Sequence, residues 1–331
     1  MSKELIQYKE YILAELKNIY NNNCISITKY YNNIINSILK TSALNKTQQI
    51  NSTKNVLASN INKLTVKYNS DCLGIKNFNP IQIKINKNKK ALLIGINYTG
   101  TKNELFGCIN DVNAVKERIT NQGFTSVNTI TDLTTKKPTR SNILTEFKNL
   151  LVNSQAGDLL FFMYSGHGSY TLDRNSDEQD GYDELIVTSD LQGITDDEFK
   201  TLIQQNLKKD VTLFAMFDCC FSGSILDLRY QYLDSMNYDN YTENKKDINT
   251  IGNVFMISGC TDEQTSADAV INNKACGAMS WSLLESLKQQ KKLSWRELVK
   301  SMRDLLKTSR FDQIPQFSSG MFVDIDASIF I

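Results

Sequence analysis

The sequence predicts an α/β protein with a mainly parallel sheet flanked by helices, preceded by an N-terminal helical segment. Through the first 66 positions, apolar residues recur at helical spacing without a proline or a glycine. From about Lys90 onward, short apolar runs typical of buried strands alternate with amphipathic helical stretches, which is the pattern of a parallel sheet covered on both faces. The chain has 331 residues, which is long enough to bury the core of such a sheet.

The predicted elements follow in chain order. Two or three helices are expected between residues 3 and 66, and a polar, lysine-rich stretch at 69–90 is expected to separate them from the rest. We therefore expect an N-terminal segment with its linker at 1–89 and one domain at 90–331. The predicted strands are 91–97, 127–131, 158–164, 211–217, 253–258 and 321–325, with a hairpin around 184–188. The predicted helices are 110–121, 139–153, 195–207, 276–289 and 294–308.

Composition narrows the range of partners. The 37 basic and 36 acidic residues nearly cancel, so no nucleic-acid or membrane partner is expected from overall charge. The charged start MSKELIQYKEY and the lack of eighteen apolar residues in a row predict neither a signal peptide nor a membrane span. Seven cysteines without a CxxC spacing argue against a disulfide framework or a zinc ribbon, and they favour reduced thiols in the cytoplasm.

A histidine stands in the motif YSGHG at 164–168, directly after the apolar run LLFFM. His167 is the only histidine of the chain, so it alone can supply an imidazole that titrates near neutral pH. The flanking glycines allow a sharp turn and the close approach of a ligand. Taken alone, the motif is equally compatible with a glycine-rich turn whose histidine packs or faces solvent.

A cysteine pair ends another predicted strand, in DCCFSG at 218–223 after VTLFAMF. Because side chains alternate along an extended chain, we expect Asp218 and Cys220 on one side and Cys219 on the other. The same alternation places Ser165 beside His167. Either cysteine, taken alone, is more simply a buried apolar side chain.

Together, the two motifs favour a catalytic pair. A thiol with a pKa of about 8.5 is only a few per cent ionised near neutral pH, so it needs a base to act as a nucleophile. Ligands bind at the carboxyl ends of parallel strands, where both motifs are predicted. Cys220 follows His167 by 53 positions (220 − 167), close to the separation of about 50 known for caspases.

With these motifs, the chain from about Lys90 to its end resembles the metacaspases, which are relatives of the caspases. Further stretches that resemble the family are ALLIGINY, GCINDV, DGYDE, ITDDEF and VFMISGCTDEQTSAD. The resemblance implies the caspase-hemoglobinase fold and a thiol endopeptidase with Cys220 as nucleophile and His167 as general base. It also implies a large-subunit part at about 90–228, a linker loop at about 229–252 and a small-subunit part at about 253–331.

The resemblance further implies a specificity for Arg or Lys before the cleaved bond. Asp111, Ser165 and Asp218 are expected to form the pocket for that side chain, because carboxylates pair well with long cations. Backbone N–H groups near Gly168 and Cys220 are expected to stabilise the oxyanion. From the sequence alone, Asp111 is more simply the N-cap of a helix.

An acidic stretch, DRNSDEQDGYDE at 173–184, holds six acidic residues and one arginine. It departs from an EF-hand because Glu178 stands at the sixth position, where that motif needs glycine. The resemblance instead implies a Ca²⁺ site formed by Asp180, Asp196, Asp197 and Asp227. As an alternative, the acids of ITDDEF also suit the positive start of a helix, and Asp227 could be a surface charge.

The resemblance extends to processing and partners. Only 33 positions separate Cys220 from Asn253 (253 − 220), a short linker that resembles type I metacaspases. A zymogen that cleaves itself is therefore expected, with candidate points at Arg229, Lys245, Lys246 and the lysine-rich stretch 84–90. The implied partners are protein or peptide substrates, and the protein is expected to act as a monomer.

Two rival hypotheses come from other classes. A non-proteolytic caspase-like interaction module would need none of His167, Cys220 and Asp218, which argues against it. A nucleotide-binding α/β domain is suggested by GINYTG after the first strand, but the sequence has neither GxGxxG nor a P-loop lysine. One departure from the family is Phe221, which stands after the cysteine where many relatives have histidine.

Overall fold

Two long helices form the N-terminal part of the chain. In the computed structural model, which describes residues 3–40, 45–77, 88–173, 181–232, 241–244, 250–259, 268–271, 274–289, 293–323 and 325–329, the chain divides into compact units at 1–80 and 81–331. The first unit contains α1 (Lys3–Lys40) and α2 (Lys46–Asn77). The rings of Tyr20 and Tyr68 stack at 4.8 Å, and Tyr20 shares a hydrogen bond of 3.0 Å with Thr65, so the helices pack side by side.

Helix α2 is longer than the sequence predicts. It continues through the polar residues 69–77 that we expected to belong to the linker. The single Gly74 costs a helix only about 1 kcal/mol, and no proline interrupts the chain before Pro80. Polar composition therefore does not end this helix.

The second unit is an α/β domain. Its strands are β1 Lys89–Gly95, β2 Ser126–Thr131, β3 Leu159–Ser165, β4 Gly168–Leu172, β5 Tyr182–Val187, β6 Gly193–Thr195, β7 Thr212–Asp218, β8 Tyr230–Tyr232, β9 Tyr241–Glu243, β10 Asn253–Ser258, β11 Asp268–Ile271, β12 Lys274–Gly277 and β13 Gln316–Ser319. Its helices are α3 Cys108–Asn121, α4 Arg140–Val152, α5 Asp196–Asn206, α6 Ala278–Gln289 and α7 Trp295–Thr308. Among the described residues, no helix is long and apolar enough to cross a bilayer.

The main sheet is mostly parallel, as predicted. Within the described parts of the chain it has eight strands in the order β2-β1-β3-β7-β10-β13-β8-β9. The first five strands run parallel, and β13, β8 and β9 extend the sheet in antiparallel fashion. Strands β4, β5 and β6 form a separate antiparallel sheet, and β11 and β12 form a hairpin. Strands β8 and β9 lie in the region that we expected to be a linker loop.

The last predicted strand is wrong. We expected it at 321–325, but β13 ends at Ser319. The sequence QFSS at 316–319 is polar, yet all four residues are buried between β10 and β8. Residues 321–323 instead leave the sheet, where the N–H of Val323 donates to the hydroxyl of Tyr232 at 2.8 Å. We placed this strand by its apolar content, and apolar content cannot reveal a strand of mostly polar residues inside a sheet.

The two faces of the sheet are covered by different helices. Met163 of β3 and Met216 of β7 pack in one core cluster with residues of α3, α6 and α7, while their neighbours in sequence pack on the opposite face with α4 and α5. Ser165 and Asp218 end these two strands with the same parity as Met163 and Met216. Their side chains therefore emerge on the face that α3 and α6 cover.

Candidate active site

The ends of β3 and β7 bring the two sequence motifs together. These strands pair in parallel with Ser165 opposite Asp218, so His167 and Cys220 each lie two residues beyond a matched pair. The N–H of Gly166 donates to the carbonyl oxygen of Asp218 at 3.3 Å, which continues the pairing past the strand ends. The two motifs therefore leave the sheet side by side at its carboxyl edge.

Gly168 brings the two segments into direct contact. A Cβ atom at this position would lie 2.0 Å from the carbonyl oxygen of Cys220 and 3.3 Å from Sγ of Cys219. Only a residue without a side chain fits there. The backbone that follows His167 thus touches the backbone of Cys220, and the N–H groups proposed for the oxyanion come from these adjoining segments.

The two cysteines of the doublet have different surroundings. Cys219 is buried in the core cluster on the α4 and α5 face, whereas Cys220 is partly exposed at the sheet edge. Phe221 follows with a φ of 50°, a left-handed backbone that is unusual for an aromatic residue. The backbone turns sharply there, and Cys220 stands at the start of the turn.

The imidazole of His167 has a defined partner. Its Nε2 atom lies 2.7 Å from the carbonyl oxygen of Asn103. A carbonyl can only accept a hydrogen bond, so Nε2 carries the ring proton and Nδ1 keeps the lone pair of the neutral ring. The carbonyl of Asn103 therefore orients the imidazole of His167, a contact that the sequence did not reveal because a backbone carbonyl leaves no signature.

Two buried tyrosines hold the backbone of His167. The N–H of His167 donates to the hydroxyl of Tyr98 at 2.9 Å, and its carbonyl accepts from the hydroxyl of Tyr164 at 2.7 Å and from the N–H of Val187 at 2.9 Å. The two hydroxyls lie 2.9 Å apart, and that of Tyr98 donates to Val187 at 2.6 Å. The ring of Tyr98 also lies 4.7 Å from the imidazole.

These tyrosines stay neutral. Burial raises the pKa of Tyr98 well above its ordinary value, although the bonds from Tyr164 and from the N–H of His167 work in the opposite direction. Burial also raises the pKa of Tyr164, and the nearby Tyr98 adds to that effect. Neither hydroxyl gives up its proton near neutral pH, so both remain able to donate as well as accept hydrogen bonds around His167.

The three residues predicted for a specificity pocket meet on one face of the sheet. The hydroxyl of Ser165 donates to Oδ2 of Asp111 at 3.1 Å. Asp111 and Asp218 are only 2% and 4% exposed. Asp218 accepts from the N–H and the hydroxyl of Ser280 at 2.9 and 2.6 Å. Two buried carboxylates and a hydroxyl thus line one site beside the segment of Cys220.

The alternative interpretation of Asp111 as a helix cap is wrong. Gly107 occupies the N-cap position of α3, and no side-chain cap bond is present there. The carboxylate of Asp111 instead accepts from the N–H of Gly277, 166 positions later in the chain, at 3.0 and 2.9 Å. Its position one turn into α3 aims it at the sheet edge.

Gly277 lies between the two carboxylates. A Cβ atom there would be 2.2 Å from Oδ2 of Asp218 and 2.9 Å from Oδ2 of Asp111. Gly277 and Ser280 of the stretch KACGAMS were missed in the sequence, where they read as the start of a helix. Nothing in that local pattern indicates a partner so distant in the chain.

Acidic residues also cluster at β5 and the start of α5. Carboxylate oxygens of Asp183, Asp196 and Asp197 lie within 4.8 Å of one another. Asp196 and Asp197 were predicted for this site, and Asp183 was named only as part of the acidic stretch. Of the two remaining predicted ligands, Asp180 and Asp227, Asp180 lies outside the described residues.

Asp227 contributes charge to the same cluster. Burial, followed by the charges of Asp227 and Glu184, raises the pKa of Asp196 to about 9, although N–H groups of Asp197 and Glu184 donate to this carboxylate. Asp227 is only 8% exposed and pairs with Lys200 at 3.4 Å, so the interpretation as a surface charge is wrong. Several carboxylates this close suit a hard divalent cation.

One contact links this acidic cluster to the segment of Cys220. The hydroxyl of Ser224 donates to Oε2 of Glu184 at 2.7 Å. Ser224 and Asp227 both belong to the turn that follows Cys220, whereas Glu184 belongs to β5 and Asp196 begins α5. The turn after Cys220 therefore connects that residue to the acidic cluster.

Comparison with known proteins defines the class. Residues 89–229 match the family model described as "Metacaspase, peptidase C14 domain". The chain is 36% identical to Metacaspase-1 of Candida albicans over 315 residues, which covers 77% of this chain and 70% of that protein. It is 38% identical to Metacaspase-3 of Trypanosoma brucei brucei over 262 residues, with 72% of each chain covered.

A solved structure shares the fold. A crystal structure of a Geobacter sulfurreducens protein superposes with a TM-score of 0.54 and 25% identity, covering 72% of this chain and 95% of that one. With the family match, this confirms the predicted caspase-type α/β fold. The protein is thus a cysteine peptidase that acts on protein substrates. Within that class, the chain belongs to the metacaspase family.

We expect Tyr98→Phe to lower kcat about tenfold or more while KM changes little, because displacing His167, the predicted base, costs rate rather than binding. The phenylalanine keeps the ring beside His167 but removes the hydroxyl that accepts from its N–H. Steady-state kinetics on a peptide substrate measure both constants, and Tyr30→Phe in the N-terminal unit is the matched control. An unaltered kcat in a folded variant would show that Tyr98 does not position His167.

Proposed function

We propose that this metacaspase is a calcium-dependent endopeptidase that cleaves after Arg or Lys, with Cys220 as nucleophile and His167 as general base. The observation that carries the specificity is the pair of buried carboxylates, Asp111 and Asp218, next to the segment of Cys220. The free cysteines among the described residues agree with a reducing compartment, and we propose the cytoplasm as its setting.

The acidic pocket suits a long cationic side chain. A guanidinium or ammonium group that enters it meets Asp111, Asp218 and the hydroxyl of Ser165. Arginine can engage a carboxylate through two parallel hydrogen bonds, and a buried site strengthens that attraction relative to water. An acidic side chain would instead meet two like charges. This pocket therefore favours Arg and Lys and disfavours Asp, the residue after which true caspases cut.

The reaction is acyl transfer. Sγ of Cys220 attacks the carbonyl carbon of the scissile bond as its proton passes to Nδ1 of His167. The N–H groups of Gly168 and Cys220 stabilise the oxyanion that forms. The C–N bond then breaks, His167 gives its proton to the leaving amine, and a water molecule hydrolyses the thioester. Asn103 holds the imidazole through Nε2 during both proton transfers.

Asp218→Asn tests the pocket. We expect kcat/KM for peptides with Arg before the cut to fall at least about a hundredfold, since the neutral amide no longer attracts the cation. The loss for a peptide with a neutral residue at that position should be much smaller. Glu117→Gln on the exposed side of α3 is the control, and Cys220→Ala should abolish turnover. A wild-type cleavage profile dominated by acidic residues before the cut would contradict the proposal.

The calcium proposal is supported by the donor set. Carboxylates of Asp183, Asp196 and Asp197 lie close together, with the charge of Asp227 next to them, and oxygen donors are those that Ca²⁺ prefers. A bound Ca²⁺ supplies positive charge that offsets this repulsion. Two contacts then hold β5, the start of α5 and the turn after Cys220 together. The N–H of Glu184 donates to Asp196, and the hydroxyl of Ser224 donates to Glu184. We propose that this ordering supports activity.

We expect Ca²⁺ to raise the thermal unfolding temperature and the activity, and we expect Asp197→Asn to lose most of both effects, since it removes one carboxylate. Glu117→Gln serves as the control for a lost surface acid. Differential scanning calorimetry and peptide turnover, with Ca²⁺ or with a chelator, measure the two responses. Full activity of the wild-type protein in chelator would defeat the calcium proposal.

The same experiment has a pH signature. A carboxyl group with a raised pKa keeps its proton in the folded protein, so the contribution of Asp196 to the stability of metal-free protein falls as the pH rises from about 4, the ordinary value, towards about 9. Ca²⁺ competes with that proton at Asp196. The Ca²⁺-induced rise in unfolding temperature should therefore grow with pH across this range. A rise that shrinks with pH would contradict the assignment of Asp196.

We further propose that self-processing occurs in the connection between β7 and β10. Lys89 and Lys90 lie in β1, where pairing with β2 and β3 opposes the entry of that segment into an active site. The carbonyl of Arg229 accepts from the N–H of Asn244 at 2.8 Å, so a cut there needs that bond to open. Lys245, Lys246 and residues 84–87 lie outside the described residues.

Mass spectrometry of Ca²⁺-treated protein tests self-processing. We expect new termini after basic residues of the 229–252 connection, and none after Lys89 or Lys90. Cys220→Ala should show none of these termini, and mixing it with active enzyme separates cleavage within one molecule from cleavage between molecules. Intact wild-type protein after activation by Ca²⁺ would rule self-processing out.

A further inference from the structure

An aromatic surface adjoins the candidate active site. It consists of Tyr170 and Leu172 of β4, Tyr182 of β5 and Phe221, and we call it the aromatic ledge. Tyr170, Leu172 and Tyr182 are 50%, 67% and 40% exposed. The ring of Tyr170 packs edge-on against both Tyr182 at 5.0 Å and Phe221 at 5.2 Å. Leu172 lies opposite Tyr182 in the pairing of β4 with β5, so these side chains form one apolar patch.

The aromatic ledge is continuous with the nucleophile segment. Phe221 directly follows Cys220, and Tyr170 lies two residues beyond Gly168, which touches the carbonyl of Cys220. We call the contact between the segment after His167 and the segment of Cys220 the junction. The contact between the rings of Tyr170 and Phe221 therefore spans this junction. Phe221 also has a left-handed backbone, which costs free energy for a residue with a bulky side chain and tends to be kept at functional sites.

The aromatic ledge and the acidic pocket lie on opposite sides of this junction. The pocket is built by Asp111 and Asp218 on the sheet face that α3 and α6 cover. The small sheet that carries the ledge packs on the other face, through Ile186 and Ile194. A peptide whose basic side chain fills the pocket must therefore cross the junction to reach the ledge.

The chemistry of the proposed reaction indicates which part of the peptide crosses the junction. In the proposed function, on which this inference rests, the leaving amine takes its proton from His167. The residue after the cut must then lie beside His167. Strand β4 begins directly after His167, and its exposed residues Tyr170 and Leu172 follow within five positions, with Tyr170 in contact with Phe221.

We propose that the aromatic ledge is the binding site for an apolar or aromatic side chain just after the cleaved bond. Such a side chain would bury its own surface and that of Tyr170, Leu172 and Phe221, and aromatic groups would add edge-to-face contacts. Acidic and strongly hydrated side chains gain nothing from this surface. The protein therefore recognises a basic residue before the bond together with an apolar one after it.

Pairs of quenched-fluorescence peptides test the ledge. They are identical up to an Arg before the cut and carry either Phe or Asp after it. We expect wild-type enzyme to favour the Phe peptide in kcat/KM by about tenfold or more. Tyr170→Ser, Leu172→Ser and Phe221→Ser should each reduce this ratio severalfold. Leu133→Ser, which removes an exposed leucine after β2, should keep the wild-type ratio.

An aminocoumarin substrate, which has no residue after the cut, serves as the reference rate for each variant. Phe221 adjoins Cys220, so if its variant is inactive on that reference, the Tyr170 and Leu172 variants decide the question. Equal wild-type rates on the two peptides, or an unchanged ratio in the active variants, would overturn the inference while the proposed cleavage after Arg stands. Loss of all cleavage after Arg, or turnover that survives Cys220→Ala, would instead refute the proposed function.

Discussion

The arrangement of the candidate active site depends on the close approach of two strand ends. Strands β3 and β7 are hydrogen-bonded neighbours in register, and Gly168 lets the backbone after one strand touch the backbone after the other. A side chain at that glycine would separate His167 from Cys220 by pushing the two segments apart. The proposed chemistry, the acidic pocket and the aromatic ledge are all arranged around that contact.

The parity of the same two strands separates the roles of the surrounding residues. Ser165 and Asp218 emerge on the face covered by α3 and α6, where Asp111 and Ser280 meet them. Cys219 faces the other way and is buried in the core. One doublet of identical residues thus provides a packing side chain and a candidate nucleophile, and alternation along the strand decides which is which.

The sequence predicted those features whose cause is local. Buried parallel strands are continuous apolar runs, so β1, β3, β7 and β10 were recognisable, and the motifs that end β3 and β7 indicated His167 and Cys220 as the candidate pair. What it missed depends on distant contacts. Gly277 reaches Asp111 across 166 positions, and Tyr98 supports His167 from the end of a different strand. Asn103 acts through its carbonyl, which any residue would supply.

Some predictions from the sequence were wrong because the same pattern is compatible with two structures. An aspartate early in a helix usually satisfies backbone N–H groups, but Asp111 sits one turn past the N-cap and bonds across the domain instead. Polar residues at 69–77 suggested a linker, although a helix tolerates them when it packs against a neighbour. The buried strand β13 can be largely polar because the side chains of Gln316 and Ser319 donate hydrogen bonds to nearby carbonyl oxygens while its backbone pairs in the sheet.

His167 is the only histidine of the chain, so its ring can be observed by NMR without interference from another imidazole. A histidine ring resonance in a proton NMR spectrum can therefore be assigned to this residue without replacing any other histidine. The proton on Nε2 is held by the carbonyl of Asn103 at 2.7 Å, and such a bond shifts a ring N–H signal downfield and slows its exchange with water. The protein therefore carries a built-in spectroscopic probe at the centre of its site.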